Sequence, residues 1–388
     1  MLRRAEVARL RDESRAVSLS MTSARDAAEY QKLESLAEVE TFHAQIALAE
    51  RDGAIVARRD RLHGDGQKLL RLSVADLPAL ARHLGIRLLD EKADAASTLL
   101  SPWVARFPII NEVLDAWRQG RKVHGADADS AGDLAAAAHA VAARQGDSGH
   151  ERILRRESVR LFGSSQSKRL EKLTPWLEVL VTGELAASGL EKEHVWAALG
   201  LRREPQPMRV CGEGTAMLDD GDLPLLRPYL GLPVESLRRL QTQATCLLTI
   251  ENLASFHDAT QVAGRSSALL LYTGGMPSPA WRTAYARILR ELPAQALVLH
   301  WGDIDEGGFR IAATLAKVAQ EAGRTLRPWR MSPHEIPSEI AQTAETPDAT
   351  VLAAMVRWAE RAGWNDIAQA LLQQPIRLEQ ESLDAVLP

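Results

Sequence analysis

The period of apolar and polar positions changes along this chain, and each period predicts a different kind of element. In QKLESLAEVETFHAQIALAERDG, residues 31–53, Leu36, Val39, Phe42 and Ile46 recur at helical spacing and the pattern stops at Gly53. The next stretch, AIVARRDRLHGDGQKLLRLSVAD, reads as two short strands around the turn His63-Gly64-Asp65-Gly66. A charged helix candidate, MLRRAEVARLRDESRAV, precedes both, and AGDLAAAAHAVAARQG predicts a further helix that ends at Gly146. After about residue 206 the pattern shifts to short apolar runs: TCLLTIEN, SALLLYTGG and ALVLHWGDID. They are separated by stretches compatible with helices, notably PAWRTAYARILRELP, and such alternation predicts βαβ units and a parallel sheet. From Pro347 the pattern is again helical, with ATVLAAMVRWAERAG offering a packing face.

The expected class is therefore α/β, multidomain and α+β overall. A helix followed by a basic hairpin is the outline of a winged helix, expected within residues 1–125. Residues 126–205 are expected to be largely helical, and residues 206–388 to hold the parallel sheet flanked by helices, with helices at the C-terminal end. At 388 residues the chain is long enough for two or three domains with cores of their own.

Composition narrows the function. A formal net charge of −4 argues against coating nucleic acid by bulk charge and directs attention to local basic patches. Between Arg51 and Arg71, six basic residues (Arg51, Arg58, Arg59, Arg61, Lys68 and Arg71) face three acids, a local charge of +3. In RILRRESVRLFGSSQSKRLEK, seven basic residues (Arg152, Arg155, Arg156, Arg160, Lys168, Arg169 and Lys172) face two acids, a local +5. Arg and Lys in such density suit phosphate positioning on a duplex, and equally a solvated face. The two cysteines, Cys211 and Cys246, and the scattered histidines show no disulfide framework and no structural-zinc spacing. No signal-peptide core and no membrane-length apolar run is present, so a cytoplasmic setting is expected.

The candidate chemistry lies at the ends of the apolar runs: Glu251 after the first, Gly274-Gly275 after the second, Asp303 and Asp305 after the third. In open parallel sheets the crevice forms at the carboxyl ends of the strands. Residues two apart on an extended segment point to one side, so Asp303 and Asp305 are expected to converge, with Glu251 beside them. Three carboxylates, with His257 and His300 set aside as local hydrogen-bonding groups, make an oxygen-only set suited to Mg²⁺ or Mn²⁺, and Glu251 is the candidate general acid or base. Helix capping is the alternative for the two aspartates, Asp305 above all. His257 and His300 are expected to be local hydrogen-bonding groups, and Glu379 and Glu381 to be solvated surface residues.

Together, TIENLASF, LLLYTGG and HWGDIDEGGF resemble a toprim domain, with its Glu, Gly and DxD motifs in that order. GDIDxxG resembles the A subunit of topoisomerase VI and its meiotic relative, and RRESVRLFGSSQSKRLE with IENLASF resembles the JetD family, nuclease subunits of Wadjet plasmid-defence systems. The resemblance covers most of the chain from about Arg152. It implies a metal-dependent DNA endonuclease, a homodimer, and partners in an SMC-type ATPase with its kleisin and accessory subunits that deliver circular plasmid. By position, Glu251, Asp303 and Asp305 match the catalytic and metal-binding acids, while Arg58, Arg59, Arg61, Lys68, Arg155, Arg156, Arg160, Lys168 and Arg169 are the candidate DNA contacts. The topoisomerase relatives attack through a tyrosine of the winged helix; of Tyr30, Tyr229, Tyr272 and Tyr285 none stands there, which implies hydrolysis by water. The chain has no Walker A motif, so an ATP-driven step would fall to a partner. Two other functions use parts of the same pattern. A haloacid-dehalogenase-like phosphotransferase needs Thr or Val where Gly307 stands, and a winged-helix regulator without catalysis would use the acids only as caps.

Overall fold

The structure, a computed structural model, describes residues 1–11, 17–60, 68–147, 150–204, 206–264 and 266–388, so Arg61 and the turn His63–Gly66 lie outside the described residues. Two compact units result, Met1–Ala135 and Ala136–Pro388. The connecting region expected over residues 126–205 thus falls mostly into the second unit.

In the first unit the helix Leu36–Arg51 begins at Ser35, whose hydroxyl accepts from the Glu38 N–H while the Glu38 carboxylate accepts from Ser35 N–H at 3.1 Å, a reciprocal cap. It ends before Gly53, which takes φ +73°. Only Ala49 of this helix is fully buried; Phe42 and Ile46 pack partly and the rest of its surface is open. The strands Ile55–Arg59 and Leu69–Val74 pair antiparallel, with Ile55, Leu69 and Leu72 turned to the core. Arg58 lies opposite Arg71 on the exposed face of that pair. A third strand, Ser18–Ser20, pairs with Leu69–Val74 from the other side. It begins directly after the stretch read from sequence as one charged helix, residues 1–17, within which the described helix is shorter, Leu2–Leu10. The helices Leu77–His83, Leu89–Val104 and Ile109–Arg118 follow, the last burying Ile110, Val113 and Trp117.

The second unit is built on a six-stranded sheet. Its order is Leu326–Pro328, Leu297–Trp301, Cys246–Ile250, Ala268–Tyr272, Met208–Cys211, Leu230–Leu232; the first four run parallel, and each of the last two pairs antiparallel with the strand before it. All five residues of Cys246–Ile250 are buried, as expected of a central parallel strand covered on both faces. The helices Leu253–Val262, Pro279–Glu291 and Glu306–Glu321 connect the parallel strands, as their apolar periodicity predicts. Helices Ala349–Arg361 and Asn365–Gln373 pack in series on Glu306–Glu321. The chain then returns past the carboxyl end of Leu297–Trp301, where Ile304 and Leu378 exchange backbone hydrogen bonds of 2.8 and 3.1 Å. Glu379 and Glu381 are exposed on this returning segment, as expected of solvated residues, while Ile376, Leu378 and Gln380 beside them are buried. Cys211 and Cys246 are buried free thiols. None of the described helices is long and apolar enough to cross a membrane.

Candidate active site

The strands Cys246–Ile250 and Leu297–Trp301 are in register, with Ile250 opposite Trp301. Glu251, one residue past the first strand, therefore lies beside Asp303, two past the second, and the Asp303 N–H donates to Glu251 Oε2 at 3.4 Å. Gly302 lets the carboxylate come this close: a Cβ there would stand 2.6 Å from Glu251 Oε2. Asp305 follows as the N-cap of Glu306–Glu321, accepting from Gly308 N–H at 2.7 Å, so the capping alternative holds for its Oδ1.

The returning chain closes the other side. Gln380 N–H donates to Asp303 Oδ1 at 2.6 Å, and its side chain accepts from Asn252 N–H at 2.8 Å and donates to Trp301 O at 3.2 Å. Asn252 Nδ2 donates to Glu381 at 2.8 Å. Glu379 and Glu381, either side of Gln380, thereby join Glu251 and Asp303 in lining a cleft of about 730 Å³. No local sequence signal marks this approach, because the partners are more than 70 residues apart in the chain.

Electrostatically the cleft is a concentration of unbalanced negative charge. Glu251 is only 8 % exposed, and burial, then Asp303, Asp305 and Glu379, push its carboxyl well above the usual range. Burial, opposed by the Gln380 N–H and reinforced by Asp305, Glu379 and Glu381, carries Asp303 up to about 7. Glu379 is raised as well, by its partial burial first and Asp305 next. The folded protein thus binds protons the unfolded chain releases, so these groups contribute stability at low pH that is lost as pH climbs from the unfolded carboxyl range through the folded value. We expect the thermal unfolding midpoint of the metal-free protein to fall between roughly pH 5 and 8, with millimolar Mn²⁺ reversing the fall. A midpoint rising over that interval, or indifferent to Mn²⁺ at its upper end, would contradict the assignment.

Sequence reasoning missed His194. It lies on the helix Lys192–Ala198, and its imidazole is laid against the glycine turn: a Cβ on Gly275 would be 2.0 Å from His194 Nε2, and Gly275 itself has φ +77°. The pair Gly274-Gly275 is required by backbone conformation and by this close approach together. Burial lowers the His194 pKa, against the pull of Glu191 and Asp305, so the ring is neutral at physiological pH. Arg202 and Gln206, joined by a 3.0 Å hydrogen bond, line the same cleft, as does Tyr272 beneath the Arg209 guanidinium at 5.0 Å. Burial raises the Tyr272 hydroxyl pKa. His257 also lines the cleft, stacked edgewise on Tyr229 at 5.2 Å. His300 sits behind it, bonded through Nδ1 to Thr249 Oγ1 at 2.9 Å and kept neutral by burial, its pKa lowered to about 3.

The basic residues differ in exposure and in how firmly they are engaged. Arg155 and Arg156 are exposed on the helix Leu154–Phe162, the first 3.8 Å from Glu171, and Lys168 is exposed beyond it. Arg160 is engaged by both oxygens of buried Glu157 at 2.6 and 2.8 Å, which fixes it as a structural partner. Arg169 is half-buried. In the first unit Arg58 and Lys68 are exposed, while Arg59 is paired with Glu50 at 2.6 Å. Tyr30 is tied in place by His43 at 3.1 Å and by the Leu69 N–H at 3.2 Å.

An oxygen-seeking divalent ion fits the chemistry of this donor set, since every charged neighbour acting on Glu251 is a carboxylate. The donors are not gathered in advance: among the described residues no three metal-binding side chains surround one point, Asp303 and Asp305 each being turned to a backbone N–H. Residues 206–387, which supply the six-stranded sheet and Glu251, Asp303, Asp305, Glu379 and Glu381, match the family described as Wadjet protein JetD, C-terminal. No curated protein matches the chain.

Proposed function

The chain belongs, through residues 206–387, to the family of the Wadjet protein JetD, and from that premise we propose that it is a divalent-cation-dependent DNA endonuclease of toprim type. The observation that carries this reading is the placement of Glu251 and Asp303 at adjacent, in-register parallel strand ends inside a cleft whose charge is uncompensated. The run of four parallel strands, with the Glu251 strand between the Gly274-Gly275 and Asp303 strands, supports it.

Glu251, Asp303 and Asp305 would hold Mg²⁺ or Mn²⁺, with Glu379 and Glu381 adding charge at the rim. The ion, when bound, withdraws negative charge from the phosphodiester and makes a water more acidic. Glu251, whose carboxyl burial raises well above the usual range, would, when not engaged by the ion, give a proton from Oε to the leaving oxygen as the ester bond breaks. Arg202, which lines the cleft and is paired with Glu151 at 3.5 Å, would exchange part of that pairing for a phosphate oxygen. The exposed Arg155, Arg156 and Lys168 would position the duplex in the second unit, and Arg58 with Lys68 in the first. In the first unit the cross-strand pair Arg58 and Arg71 costs repulsion that a phosphate would relieve. Family membership further supports action on circular plasmid, as a homodimer and as the nuclease subunit beside an SMC-type ATPase with kleisin and accessory subunits.

The test is cleavage of supercoiled plasmid by the purified protein in Mg²⁺ or Mn²⁺, alone and with the SMC-type partners. Linear product whose ends carry no protein is expected, and Tyr272→Phe should retain cleavage within about threefold, because a hydroxyl whose pKa is raised by burial is a poor nucleophile. No cleavage in any arm overturns the nuclease; protein left on the ends, lost in Tyr272→Phe, overturns hydrolysis by water.

A further inference from the structure

On the far side of the loop that carries Gly274 and Gly275 is a second cavity of about 490 Å³ with the opposite charge. It is lined by Val181, Leu190, Met276, Pro279, Thr182 and Thr314, among others, and by three arginines, with no Asp or Glu in its wall. Two of the arginines are accounted for. Arg144 donates to Leu199 O, Asp147 and His150 O, a full set of acceptors. Arg310 pairs with Glu306 at 2.8 Å, yet its buried Nε–H has no acceptor.

Arg282 is different. Its Nε is buried without an acceptor, and among the described residues its guanidinium makes neither a hydrogen bond nor an ion pair. Burial pulls its pKa down, with Glu321 the distant opposing charge. The Trp358 Nε1–H, in the same wall, is likewise buried and unmatched. A half-buried guanidinium whose Nε–H is shut away from both water and acceptors is costly to the fold, and the unmatched Trp358 donor adds to the cost. An acceptor-rich anion in this cavity would offset both.

We propose that this cavity is a binding site for a small phosphate-bearing organic molecule of about mononucleotide size, its phosphate on Arg282 and its body against Met276, Leu190 and Val181. A bare phosphate would leave most of the space and the apolar lining unused. The loop 273–278 walls both the cavity and the acidic cleft, through Met276 and Pro277 on one side and Gly274 and Gly275 on the other.

The experiment is thermal unfolding and calorimetric titration of the full chain in EDTA, so that no divalent cation bridges a phosphate to the acidic cleft, with inorganic phosphate and adenosine monophosphate as probes. Adenosine monophosphate should raise the midpoint by at least ~3 °C at saturation and inorganic phosphate by less. Arg282→Met should unfold at a higher temperature than wild type without ligand, by about 3 °C, and lose both responses. Asp303→Asn should keep them, which separates this site from the cleft. The proposal is overturned if neither probe shifts the wild type, if Arg282→Met responds as wild type does, or if only a short DNA duplex stabilises the protein. Should Arg282→Met fail to fold, the wild-type titration decides.

Discussion

Asp303→Asn should abolish plasmid cleavage and at the same time make the metal-free protein more stable at pH 8. The amide keeps an oxygen for the Gln380 N–H, which is 2.6 Å from Asp303 Oδ1, so the returning chain stays docked. What is lost is a charge, in a place where burial and Asp305 already resist charging. Losing a ligand to the ion is expected to forfeit several kcal/mol of transition-state stabilisation. At about 1.4 kcal/mol per decade, this is a rate loss of about 10³-fold. The stability gain follows from the sign of the pKa displacement: above the folded value of about 7 the wild-type carboxylate is ionised in an environment that disfavours it, and the amide is not. A functional site that costs stability is the expected trade. Plasmid linearisation in Mn²⁺ measures the first effect and thermal unfolding in EDTA across pH the second. Cleavage retained within tenfold would remove Asp303 from the chemistry, and a destabilised variant at pH 8 would show that the charge is compensated.

The parts of this site readable from sequence are those set by local pattern. Apolar runs ending at Glu251 and Asp303 located the strand ends because a buried parallel strand needs a continuous apolar segment, and its C-terminal edge is where a polar residue first meets solvent. Parallel pairing then brought the two acids together, and Asp305 took the capping position that its type and place before Glu306–Glu321 favour. Four features were invisible for one reason: each depends on contacts between segments far apart. Gln380 reaches Asp303 across 77 positions, His194 reaches Gly275 from a different helix, and Arg282 sits in a stretch whose periodicity predicted its helix and nothing of the cavity. The fourth is the strand Ser18–Ser20, three residues whose pairing is decided by Leu69–Val74 and not by their own propensity. Arg160 shows the converse limit: as sequence it was one of seven basic residues, and only the fold reveals that Glu157 occupies it.

Gly308→Ala should be among the most disruptive single-methyl changes near the cleft. Gly308 sits in the first turn of Glu306–Glu321 with ordinary helical backbone, so φ is not the constraint; space is. A Cβ would stand 2.1 Å from the Asp303 carbonyl oxygen and 3.1 Å from Asp303 N, both backbone atoms that no rotamer change can move aside. Either the helix start or the 302–305 segment must shift, at the cost of about 1–3 kcal/mol or more typical of overpacking. In a unit of this size that lowers the unfolding midpoint by about 3–10 °C. A displacement of about 1 Å at Asp303 costs on the order of 10²-fold in rate as well, so cleavage should fall even where the variant is folded. Gly132→Ala provides the contrast: it is also helical, a Cβ there meets nothing within 4 Å, and the change should be neutral or stabilising by about 0.5–1 kcal/mol. Comparing the two midpoints and the two cleavage rates separates a glycine kept for contact from one that merely tolerates its position. If Gly308→Ala matched Gly132→Ala in both, the close packing of the helix start on the acid-bearing segment would not be what holds Asp303 in place.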